Sequence, residues 1–152
     1  MAKQFDGFTD DHTSFVAEQA IFFVATSAPG ARINLSPKGM DSLRILGPNR
    51  LVWLNVTGSG NETASHLPHD PRMTVMWCSF GTRPLILRAY GVARVVHRSH
   101  ADWMTLAAEL PDVPEMDLSG PKPPEVNAVF FSVDGALLPL ACDDAAKKEL
   151  RG

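Results

Sequence analysis

The sequence predicts a mainly β domain, an antiparallel barrel of six to eight short strands with few helices. Three observations lead there. Short apolar runs rich in β-branched and aromatic residues recur along the chain, Gly and Pro punctuate them, and helical periodicity is confined to a few segments. The connections are too short for parallel crossovers, so neighbours should run antiparallel, and closing the sheet on itself removes exposed edges.

Taken in order, Asp10 and Asp11 precede a short helix over Thr13–Gln19, and Ala20–Ala25 suits a first buried strand. Strands are then predicted at Arg32–Leu35, Ser42–Leu46, Arg50–Val56, Arg72–Phe80, Pro84–Tyr90, Val92–His97 and Ala128–Asp134. Ser36-Pro37-Lys38-Gly39 reads as the corner between the second and third of these runs. Between the fourth and fifth strands, a Gly-rich turn leads into a helix over Asn61–Leu67 that ends before Pro68. Ser99 opens another helix, with Trp103, Leu106, Ala107 and Leu110 on one face to pack on the sheet. Residues 111–127 are rich in Pro and polar side chains and read as a surface loop.

With 152 residues, 45% hydrophobic and 20% charged, the chain is sized for one domain spanning 1–152, with its core over about 13–135. No window has the length of apolar sequence a membrane span requires, and MAKQFDGFTDDH lacks the order of a secretory signal, so a cytoplasmic protein is expected. That expectation sets aside three glycosylation sequons, at Asn34, Asn55 and Asn61. Cys78 and Cys142 are far apart and form neither a disulfide framework nor a thiolate metal site. A net charge of −3 without a basic block argues against nucleic acid or an acidic membrane as partner. Any bound anion should be small and local.

Two features suit such an anion. Arg88 interrupts the apolar run LILRAYG, where a charge needs either a carboxylate partner or an anionic ligand such as phosphate, and Lys38 could supply a second cation. Thr57-Gly58-Ser59-Gly60-Asn61-Glu62-Thr63 brings hydroxyls and a helix start together, although the same composition makes an ordinary solvated turn. It is not the dinucleotide fingerprint, because position 63 is not glycine and the surroundings are not βαβ. His66, His69 and Asp70 are close in sequence but lack a further ligand at a metal-site spacing. Cys78 reads as a small buried hydrophobe in mid-strand rather than a nucleophile. The three Trp residues read as core or dimer contacts, with Trp53 or Trp77 also able to stack on a cofactor ring.

Assembled, the stretches AIFFVAT, INLSPKG, LVWLNVTGSGNETASHL and LILRAYGVARVV make the chain resemble the pyridoxamine 5′-phosphate oxidase-like family of FMN-binding split barrels. The resemblance implies a six-stranded antiparallel split β-barrel and a homodimer with two FMN sites at the interface. It implies as cofactor-binding residues Asn34, Ser36, Lys38, Gly39, Thr57, Ser59, Asn61, Glu62 and Thr63, with Arg88 as an additional cation. The chain departs from the true oxidases, which carry Ser-Arg-Lys where this helix starts with Asn61-Glu62-Thr63, and no Trp follows Trp103. The expected function is therefore a flavin-dependent oxidoreductase of unknown substrate rather than a pyridoxamine phosphate oxidase. The rival expectation is a barrel that stores, senses or carries a flavin, a deazaflavin or haem without turnover.

Overall fold

The computed structural model describes residues 4–39, 41–56, 61–81, 84–97, 99–101, 103, 108 and 126–139. Helix α1 spans Asp10–Ala17 and begins earlier than expected, because Thr9 caps it in a reciprocal box with His12 while Asp10 and Asp11 occupy the first turn. It is followed by β1 (Phe22–Thr26), β2 (Asn34–Lys38), β3 (Leu43–Gly47) and β4 (Arg50–Val56). Next come α2 (Glu62–His66), β5 (Arg72–Cys78), β6 (Ile86–His97) and β7 (Val126–Pro139). Of the predicted helix after Ser99, Trp103 is described, packed against Val52 and Val96 on the sheet; the remainder of its apolar face and the 111–125 part of the Pro-rich stretch lie outside the described residues.

Seven strands, rather than six, form one antiparallel sheet in the order β2-β1-β5-β6-β7-β4-β3. Two of the expected strands are one: Gly91 does not end β6 but sits where its pairing with β7 shifts, Tyr90 opposing Ala136 and Gly91 opposing Val133. The extra residues of β7 there make a bulge, which bends a sheet without breaking it. β2 and β3 are the two edges, and no ladder joins them among the described residues, so the sheet is not closed into a barrel. It is nevertheless strongly curled. Phe22 of β1 and Trp53 of β4 lie four ladders apart, yet their rings meet edge-on at 5.9 Å.

That contact belongs to the main core, where Phe8, Phe22, Val24, Leu51, Trp53, Val75, Trp77 and Leu87 are all buried. β5 shows the expected alternation, with Met73, Val75 and Trp77 inward. Trp53 is 0% and Trp77 1% exposed, and Trp77 also takes the ring of Phe8 edge-on at 5.9 Å. Both indoles are thus core residues of the sheet.

Candidate functional site

The Ser36-Pro37-Lys38 segment is not a corner but the body of β2, and this decides where its side chains point. A proline has no N–H for a second ladder, so it suits an edge strand, and among the described residues β2 has β1 as its one neighbour. Cross-strand register pairs Asn34 with Thr26, Ser36 with Val24 and Lys38 with Phe22, placing these three β2 side chains on the core-side face. Leu35 and Pro37 face the other way and are exposed. The true corner follows Gly39, where an added Cβ would lie 3.1 Å from the Ala20 carbonyl oxygen. Asp41 turns it with a left-handed φ of 50°, and its carboxylate is gripped by both terminal nitrogens of Arg44, at 2.7 and 2.9 Å.

Around β2 lies a buried polar cluster. The Asn34 amide donates to Thr26 Oγ1 at 3.1 Å and to Thr63 Oγ1 at 3.0 Å, and Thr26 Oγ1 lies 3.1 Å from His66 Nδ1. All four residues are buried. The cluster fastens α2, which carries Thr63 and His66, to β1 and β2. A second tie, Asn55 Nδ2 to Asn61 Oδ1 at 2.9 Å, joins β4 to the residue before α2. Asn61 stands at the N-cap position but makes no side-chain capping bond; its oxygen accepts from Asn55.

Lys38 is half-buried, and its pKa is lowered from the ordinary 10.5, chiefly by desolvation, with the charge of Glu62 acting in the opposite direction. The Ser36 hydroxyl is buried and has no hydrogen-bond partner among the described residues. Such an orphan is costly unless something supplies the missing bond. The register separates Arg88 from this group. Arg88 opposes Met76, Met76 opposes Phe23, and Phe23 opposes Pro37, a row that lies on the face away from the core. Arg88 there donates to the Tyr90 hydroxyl at 3.3 Å. Lys38 and Arg88 therefore do not share a pocket within one chain.

Residues 8–126 match the pyridoxamine 5′-phosphate oxidase family. The chain belongs to that family. A curated relative from Aspergillus flavus, the pyridoxamine 5′-phosphate oxidase family protein ustO, is 38% identical over 96 residues, 60% of this chain. The chain spans 38% of that relative's length at this match. Among solved structures, HupZ of Group A Streptococcus superposes with a TM-score of 0.61 at 17% identity, covering 85% of this chain and 97% of that one. HutZ of Vibrio cholerae, described as a haem storage protein, gives 0.57 at 16% identity, with coverage of 84% and 90%. A pyridoxamine 5′-phosphate oxidase-related FMN-binding protein of Nostoc punctiforme gives 0.55 at 16%, with coverage of 80% and 74%. These likenesses establish the fold shared with the oxidase family and its haem- and flavin-associated neighbours.

Within this family frame, the sequence-predicted residues fall into three groups. Asn34, Ser36, Lys38 and Thr63 lie along the β2–α2 seam, with Gly39 at the end of β2 and Asn61 and Glu62 at the start of α2. Arg88 lies on the opposite face, and Thr57 and Ser59 lie outside the described residues. Asn34 and Thr63 point into the polar cluster. Thr26 and Asn55 are not among the cofactor-binding residues that the resemblance implies, and the sequence offers His66 only as a metal-ligand candidate; the available signal is a polar residue at an inward position of an otherwise apolar strand. Asp70, grouped with His66 and His69 in sequence, instead grips Arg72 at 2.6 Å, whose hydrogen bonds hold the carboxyl down at about 2. Among the described residues, no three His, Cys, Asp or Glu side chains converge as a metal site would require.

Two hollows lie elsewhere on the sheet, and neither is lined by Ser36, Lys38 or a residue of α2. One of ≈ 310 Å³ lies between α1 and the β2–β3 connection, lined by Val16, Phe22, Gly39, Ser42, Arg44 and Trp77 among others. The other, ≈ 440 Å³, opens on the outer face beside Ala25, Thr74 and Tyr90. For a flavin phosphate or ring carbonyl, the fitting donors are the half-buried Lys38 ammonium and the unpartnered Ser36 hydroxyl, both on one face of β2.

Proposed function

We propose that this chain binds FMN and works as a flavin-dependent oxidoreductase on a small-molecule substrate, as a cytoplasmic homodimer of split barrels with its cofactor sites at the interface. The observation that carries this reading is the β2 face itself: a desolvated lysine and an orphaned hydroxyl side by side, in a member of a family with an FMN-binding structural neighbour. Desolvation is tolerated where an anionic partner restores the charged form, and an unsatisfied hydroxyl gains most from an acceptor. Bound FMN supplies the electron- and hydride-transfer chemistry. The protein groups bind and orient: Lys38 holds an anionic edge, Ser36 donates one hydrogen bond, and Gly39 lets the chain turn close to the site. Thr57, Ser59, Asn61 and Glu62 border the phosphate end in this proposal, and Arg88, facing outward, reaches a site only across the dimer interface. Exposed Ile33 and Leu35, the latter on the outer face of β2 and the former just before the strand, are apolar enough to be covered by that partner.

One observation favours a second reading, a carrier of flavin, deazaflavin or haem without turnover. The first turn of α2 holds Glu62, whose charge is felt at Lys38, so the pair is nearly neutral where a phosphate dianion would favour two cations. HutZ, with the same fold, is described as a haem storage protein.

The visible absorption spectrum of the purified protein, followed by titration with FMN, riboflavin, a deazaflavin and haem, separates these readings. FMN bound more tightly than riboflavin, with oxidation of reduced nicotinamide by the loaded protein, supports the oxidoreductase. Binding without turnover supports the carrier, and failure of FMN to bind overturns the leading proposal.

A further inference from the structure

The buried cluster around Asn34 has a direction that hydrogen counting reveals. The Asn34 amide has two hydrogens, and both are used, one on Thr26 Oγ1 and one on Thr63 Oγ1. Thr26 Oγ1 thus accepts from Asn34 and keeps its own hydrogen, with His66 Nδ1 at 3.1 Å as the remaining partner. If His66 carried a proton on Nδ1, the Thr26 hydrogen would be left without an acceptor in a residue only 4% exposed. The count therefore assigns the neutral imidazole with its hydrogen on Nε2 and its lone pair on Nδ1, accepting from Thr26.

We propose that His66 is a positioning residue: by orienting Thr26, and through it Asn34, it holds Thr63 and so sets the spacing of α2 from β2, and of Glu62 from Lys38. The chain of contacts runs without a gap across three elements, β1, β2 and α2. Asn34 and Lys38 share one face of β2, while Thr63 follows Glu62 in the first turn of α2, so the Asn34–Thr63 bond ties the strand that carries Lys38 to the turn that carries Glu62. Fixing it fixes how far Glu62 offsets the Lys38 charge that a ligand meets. His66 touches no ligand in this role, and the role in cofactor affinity rests on the flavin reading above. Asn61 is tethered separately by Asn55, which anchors the other end of the same turn.

Three measurements test it. A ¹⁵N spectrum of the ligand-free protein should show His66 as the Nε2–H tautomer. In His66→Leu, amide exchange across Glu62–His66 should accelerate about ten-fold, and in His66→Asn, whose amide can place an oxygen near the Nδ1 position, it should return to within about three-fold of the wild type. FMN affinity should follow the same pattern, falling about ten-fold in the Leu variant with recovery in the Asn variant. Thr26→Val, nearly the same size, serves if His66→Leu does not fold. An Nδ1–H tautomer, or exchange unchanged in both His66→Leu and Thr26→Val, would overturn the assignment. Wild-type protein that fails to bind FMN would remove the flavin reading, while tautomer and exchange would still decide the role of His66.

Discussion

Ser36→Ala is the sharpest perturbation available, because the proposed site requires opposite effects on the free and the loaded protein. In the free chain the hydroxyl oxygen is buried without a partner among the described residues, and leaving such a group unsatisfied costs about 1–3 kcal/mol. Alanine removes the group, keeps the Cβ and leaves the ladder with Val24 untouched. Against that gain stands the small void left by the oxygen, so a net stabilisation of about 1 kcal/mol is expected. In urea, where a domain of this size unfolds with a slope of about 1–3 kcal/mol/M, the midpoint should rise by about 0.3–1 M. With FMN saturating, the advantage should shrink or reverse, since in the proposed site the loaded wild type would make a hydrogen bond that the variant lacks. The assay is urea unfolding followed by tryptophan fluorescence, with and without FMN, since Trp53 and Trp77 report the core. A midpoint that is unchanged or lower in the free variant would refute the reasoning, for it would mean that the Ser36 hydroxyl already has a partner.

Other perturbations follow from the same geometry. Lys38→Met should raise stability at neutral pH and weaken FMN binding. Because burial lowers the folded pKa below 10.5, the wild type gains stability as pH rises from that depressed value towards 10.5, and the variant should lose this alkaline gain, as paired pH-dependent denaturation curves will show. The Asp70 carboxyl runs the other way: its folded value of about 2 lies below the ordinary 3.8, so its contribution is present above 3.8 and is lost as pH falls towards about 2. Asp70→Asn should flatten that part of the acid denaturation profile, and an unaltered profile would count against the Arg72 pairing. Paired Ile33→Glu and Leu35→Glu should convert the proposed dimer to monomer in light scattering at micromolar concentration, leaving the fold intact by circular dichroism.

How much the sequence revealed depends on the element. β4 was legible at both ends, Arg50 to Val56, because an apolar run sits between turn residues and pairs on both sides. β2 lies two to three residues beyond its expected span because Ser36-Pro37-Lys38-Gly39 has the composition of a corner, while an edge strand accepts the proline. Gly91 has the look of punctuation in the sequence, although a bulge accommodates it inside β6. The candidate site was legible as a set of residue types on β2 and around the start of α2, but not as a geometry. Whether Lys38 and Arg88 meet depends on strand parity, and a misplaced boundary at β2 hid that parity. The Thr26–Asn34–Thr63–His66 cluster joins positions up to 40 residues apart and exists only once α2 settles on β1 and β2. No local pattern announces it.

The position of β2 at the edge carries a consequence for how this scaffold can change. A strand inside a sheet answers to two neighbours, and a substitution there must suit both ladders. Among the described residues β2 answers to β1 alone, and Pro37 limits the recruitment of another strand on its other side. Ser36 and Lys38 can therefore be exchanged with little disturbance beyond β1 and the α2 seam. An edge of this kind is where side chains can change while the core stays in register.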